Sequence, residues 1–176
     1  MWGKMHFRSA SASMLPMEPL VRYFDGEKQA ATLALVLGLC SVAFAVWLFR
    51  SSSPFRAMLI PLALIGLVQL GIGIGLHVRT PPQVAALQDG LKSDPVKTRS
   101  AELERMERVM RSFRLVKIAE VVLLVVALVL IFALSHRPAA VGVGMALLVE
   151  AAVMLAFDVF AEHRGVEYLD YLRALS

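Results

Sequence analysis

The sequence holds a single cysteine, Cys40, so no disulfide can form within the chain, and the residue reads as a small packing group inside an apolar run. Charge is also scarce. Asp, Glu, Lys and Arg make up 18% of the residues against 58% hydrophobic, and the mean hydropathy of +0.68 lies above the range of water-soluble domains. No segments of about ten residues alternate polar with apolar, which excludes a barrel of transmembrane strands. A Ser/His/Asp or Cys/His set, a Walker sequence, a dinucleotide fingerprint and zinc-ligand spacing are all missing, so neither an enzyme nor a bound metal or cofactor is expected. His77 stands alone and His163 directly follows Glu162, leaving no Glu-x-x-His pair for a carboxylate-bridged metal centre. The first 13 residues lack an apolar stretch comparable to a secretory signal, and Met14 and Met17 are candidate internal starts.

What the chain does have is four apolar runs, near 29–49, 58–78, 115–134 and 139–161. Each is about 20 residues long, enough to cross about 30 Å of hydrocarbon as helix. The short turns between paired runs begin with breakers, SSSP at 51–54 and SHRP at 135–138. The expected fold is an all-α membrane protein, a four-transmembrane-helix bundle of two α-hairpins joined by a cytoplasmic helical segment. Its parts are an N-terminal cytoplasmic segment 1–28, a first hairpin 29–78, an amphipathic helical loop 79–113, a second hairpin 114–161 and a C-terminal tail 162–176.

Orientation follows from where the cations lie. The hairpin turns carry only Arg50, Arg56 and Arg137, while every other Lys and Arg falls before the first run, in the 79–117 region or in the tail. Excess Lys and Arg remain cytoplasmic, so both termini and the middle segment are expected in the cytoplasm of a bacterial inner-membrane protein.

The middle segment is too long to be a simple connection. Thr80-Pro81-Pro82 is expected to end the second span and Asp94-Pro95 to break a short helix; a second helix is expected to begin near Ser100 and run into the third span. Arg105, Arg108, Arg111 and Arg114 recur at three-residue intervals near the membrane surface. Contact with anionic lipid headgroups accounts for them, and nucleic acid is not an expected partner.

Within the spans the polar residues are few: Gln69, Glu120, Glu150 and Asp158. An ionisable side chain in hydrocarbon costs about 2.5–3.5 kcal/mol, so each should face the bundle interior with a partner. Lys117 and Arg114 are expected to pair with Glu120 and Asp158. Glu150, near the midplane with no cation at its depth, is expected to bond to Gln69 if the second and fourth spans touch. The carboxyls also suit a proton or cation site, with Glu150 deep, Asp158 shallower and Glu162 at the cytoplasmic exit, Glu120 lining the same path. Gly71 to Gly75 is a literal GxxxG, serving either packing within the chain or oligomerisation.

The segments YFDGEKQA at 23–30, SPFRAM at 53–58, RTPPQV at 79–84 and FDVFAEHRG at 157–165 resemble a set of bacterial four-span membrane proteins with no assigned activity. That resemblance, from about Met17 onward, implies fold and topology alone. The layout is also similar to some immunity proteins against pore-forming toxins, by architecture only. The expected function is therefore a non-enzymatic inner-membrane protein acting through helix and surface contacts with another membrane protein or further copies of itself, immunity being one version. The alternative is an ion- or proton-conducting protomer using the intramembrane carboxylates.

Overall fold

A computed structural model describes residues 18–174; Met14, Met17, Lys4 and Arg8 lie outside them. The described chain is four long helices: α1 Glu18–Arg50, α2 Leu59–Ser93, α3 Pro95–Ala133 and α4 Pro138–Ala174, with one 3-10 turn at Arg56–Met58. All four are long and apolar enough to cross a membrane. Large apolar side chains point away from the bundle, Phe132 at 75% and Val78 at 71% exposure among them, as solvation by lipid requires.

Each helix exceeds what about 30 Å of hydrocarbon needs, so all four run on together at the end that carries the termini. There a core of large side chains forms around Phe24, Leu87, Met106, Tyr168 and Leu169. Burying a Phe or Met there contributes about 1.5–3 kcal/mol, because water lies outside. Lipid supplies no such drive between the spans, and their contacts rest on small residues. Gly38 and Gly66 mark the α1–α2 crossing: a Cβ on either would lie within 3.0 Å of the other's carbonyl oxygen. Ala31, Gly38 and Ala45 repeat at seven-residue spacing, and all three are buried. Gly144 and Ala127 make the corresponding approach between α4 and α3.

Two expectations about the middle segment need correction. α2 does not stop at Thr80-Pro81-Pro82 but continues through both prolines to Ser93. A proline removes the bond to the carbonyl four residues earlier, here those of His77 and Val78, and the helix carries on without these two bonds. The helix after the break begins at Pro95 and not near Ser100. Asp94, at φ −145° and ψ 82°, leaves helical geometry, and its carboxylate accepts the Lys97 backbone N–H at 3.1 Å, capping α3 with proline in its first turn. The 79–113 segment is thus the joined ends of α2 and α3.

The packing is uneven. α1 lies along α2 and α3 along α4, α4 also touches both α1 and α2, α2 and α3 meet sparsely, and the α1 and α3 backbones do not approach each other.

Candidate functional site

The expected intramembrane polar residues fall into two centres. Gln69, Glu120 and Glu150 are buried and Asp158 is half-buried.

In the first centre Glu150, on α4, receives donors from two other helices. Gln69 Nε2 of α2 donates to Oε2 at 2.8 Å, and the Ser41 hydroxyl of α1 donates to Oε1. The sequence-expected Glu150–Gln69 pair is present. Ser41 was not anticipated, although it follows Gly38 by three residues and precedes Ala45 by four, on the packed stripe of α1. The close glycine crossing brings α1 and α2 near enough for both donors to reach one carboxyl. The amide oxygen of Gln69 is buried without a partner among the described residues.

In the second centre the expected ion pairs are not formed. Lys117 reaches across to Glu162 of α4, and Arg114 makes no side-chain contact with Asp158. Arg114 precedes Glu120 by six residues, which at about 100° per residue turns it about 120° from the buried face. Glu120 instead faces Asp158, carboxyl toward carboxyl, and neither Glu120 oxygen has a donor among the described residues. Lys117 is near enough to act electrostatically on both.

At the end carrying the termini, Arg105 pairs with Glu102 through two hydrogen bonds, at 2.8 and 2.7 Å, and lies 5.8 Å from the Tyr23 and Phe24 ring centres. The Tyr168 hydroxyl donates to Glu102 at 3.2 Å. Burial opposes the charge on Arg105, but Glu102 outweighs it and holds the guanidinium pKa above its usual value. Burial raises the Tyr168 phenol and the Glu102 charge adds to it; burial likewise raises Tyr23 against the lowering effect of Arg105. No sequence signal marked this group beyond Glu102 standing three residues before Arg105.

Because α2 and α3 barely meet, a cleft of about 1130 Å³ opens between them. Arg79, Gln83, Arg105 and Arg108 line its upper part and Ile72, Phe113, Val116 and Met154 its lower part, with Asp158 also on the wall. Arg105 is thereby tied into the bundle, Arg108 faces the cleft, and Arg111 and Arg114 are exposed elsewhere on α3. A deeper cavity of about 280 Å³ shares Arg79 and Asp158 with the cleft and reaches Gln69, so both polar centres open onto it. His77 is exposed, His163 pairs with Glu167 at 3.3 Å, and no group of three metal-ligating side chains exists among the described residues.

Lipid-length helices with apolar faces outward and carboxyls inward define the class: a multi-pass, all-α membrane protein. No family model matches the chain, and no curated protein or solved structure matches it either.

Proposed function

We propose that this is a small non-enzymatic protein of the bacterial inner membrane, with both termini cytoplasmic, that acts by lateral helix contact with a membrane-embedded partner. The observation that carries the reading is the GxxxG on α2. A Cβ added to Gly71 or Gly75 would meet nothing within 4 Å, whereas Gly66 and Gly73 of the same helix are filled by α1. The motif therefore faces outward, flanked by exposed Leu64, Leu67, Val68, Ile74 and Val78, and admits the backbone of another helix. Immunity, with a membrane-targeting toxin as that partner, is one concrete version. The test is cross-linking of Gly75→Cys in native membranes, in a Cys40→Ala background. A specific adduct, lost with Gly71→Leu, supports the reading; an adduct no stronger than from Phe132→Cys on α3 ends it.

A second reading, an ion- or proton-conducting protomer, is favoured by Glu120 facing Asp158 beside the inner cavity, since two facing carboxyls can exchange a proton or hold a cation. Flux into liposomes carrying the full chain, abolished by Asp158→Asn at equal incorporation, supports it. Absence of flux from the native chain removes it.

A further inference from the structure

We infer that the cleft between α2 and α3 is a discrete binding site for one anionic phospholipid, entered sideways from the bilayer. Its two walls differ in chemistry with depth, and the change falls at one level. Counting away from the break at Asp94, Arg79 on α2 and Arg108 on α3 are at nearly equal distance, as are Ile72 and Val116 further on. Arginines thus face each other at the end of the apolar spans, where a headgroup phosphate resides, and aliphatic side chains face each other below, where acyl chains reside.

Charge selects the anion. Arg79 leans on Glu27 at 2.7 Å yet keeps 58% of its side chain exposed, and the Arg108 side chain has no hydrogen bond or ion pair among the described residues. An arginine offers a phosphate several donors in a fixed plane, and two from opposite walls can hold it from both sides. Arg105 is not available for this role, because Glu102 already takes its two parallel donors. Below the rim, Phe113 and Met154 continue the apolar lining on which an acyl chain can lie, with Asp158 the one acidic side chain on the wall at that depth. The volume of about 1130 Å³ suits a lipid headgroup with part of its chains, and it exceeds the usual range for small-molecule pockets.

The experiment is native mass spectrometry of the full chain released from detergent after incubation with phosphatidylglycerol, phosphatidylcholine or soluble glycerol 3-phosphate. One phosphatidylglycerol should be retained, about tenfold more than phosphatidylcholine, and glycerol 3-phosphate should not be retained. Arg108→Gln should weaken retention about fivefold, as expected for one basic residue at a membrane surface. Val116→Trp, which fills the apolar part, should weaken it as well, while Arg111→Gln, outside the cleft, should leave it unchanged. Equal retention of the two lipids, or equal effects of Arg108→Gln and Arg111→Gln, would overturn the site in favour of diffuse surface attraction. Retention of glycerol 3-phosphate as strong as that of the lipid would overturn the lipid assignment. A second protein chain held in the cleft in place of lipid would overturn it too.

Discussion

Glu150 and Glu120 are both buried glutamates on membrane-spanning helices, yet their surroundings are opposite. Glu150 meets two neutral donors from two other helices, so the carboxyl is enclosed by hydrogen bonds and ties α1, α2 and α4 together. Glu120 meets another carboxyl and no donor among the described residues, while the cation beside it is bonded to Glu162. Burial alone therefore does not separate a carboxyl held by donors from one left without them. A satisfied group is a fastener, whereas a group facing its own kind gains from a proton, a cation or a change of shape. The midplane glutamate, the most costly residue by depth, is the satisfied one.

The largest expected effect breaks the fastened centre. Glu150→Leu strands the Ser41 hydroxyl and the Gln69 amide and should destabilise the bundle by about 3 kcal/mol, while Glu150→Gln keeps a partner for each and should cost under about 1 kcal/mol. Equilibrium unfolding of both variants in mixed micelles gives the comparison, and equal losses would remove the fastener role. Next in size is a control outside the spans. Glu102→Gln leaves the Arg105 guanidinium without its charge partner and should cost about 2 kcal/mol by the same assay, less than a fully buried pair because Arg105 is partly solvated.

A smaller effect of opposite sign marks the second centre. Asp158→Asn replaces one of two facing acceptors with a donor for Glu120, and stability should rise by about 1 kcal/mol. A loss as large as that of Glu150→Leu would show that the two centres do the same work. The smallest effect is alkaline. Tyr168 and Tyr23 have raised pKa values, so above the ordinary tyrosine value of about 10 the unfolded chain loses protons that the folded chain keeps. Their contribution is present below about pH 10 and declines as pH rises further. Tyrosinate absorbance during a pH titration should appear later for the native chain than for the unfolded one; coincident curves would contradict the burial.

The four spans, their pairing into hairpins and the Glu150–Gln69 bond were legible because hydrophobic length and the cost of a lone carboxyl in lipid are written into the residues. The ion pairs of the second centre were not. Separation of three residues brings Lys117 near Glu120, but it cannot show that Glu162 of another helix draws the ammonium away. Thr80-Pro81-Pro82 misled for a related reason: proline weakens a helix locally without having to end it, and the rest of α2 carries on to Ser93. The cleft was invisible, since it depends on how sparsely α2 and α3 meet, and the apolar pattern of α2 and α3 is the same whether lipid or protein faces them.

Asp94 is the only residue between α2 and α3, and it stands at the far end of both from their apolar spans. It works geometrically as the pivot of a pair of long arms. From Asp94 to the level of Ile72 and Val116 is about 33 Å of helix at about 1.5 Å per residue, so opening the pivot by about 10° displaces those side chains by about 6 Å. Within each hairpin, glycines are set against carbonyl oxygens of the partner helix, which holds the two helices in close contact. Any change of angle at this one-residue turn would thereby be magnified into a change of width between the spans.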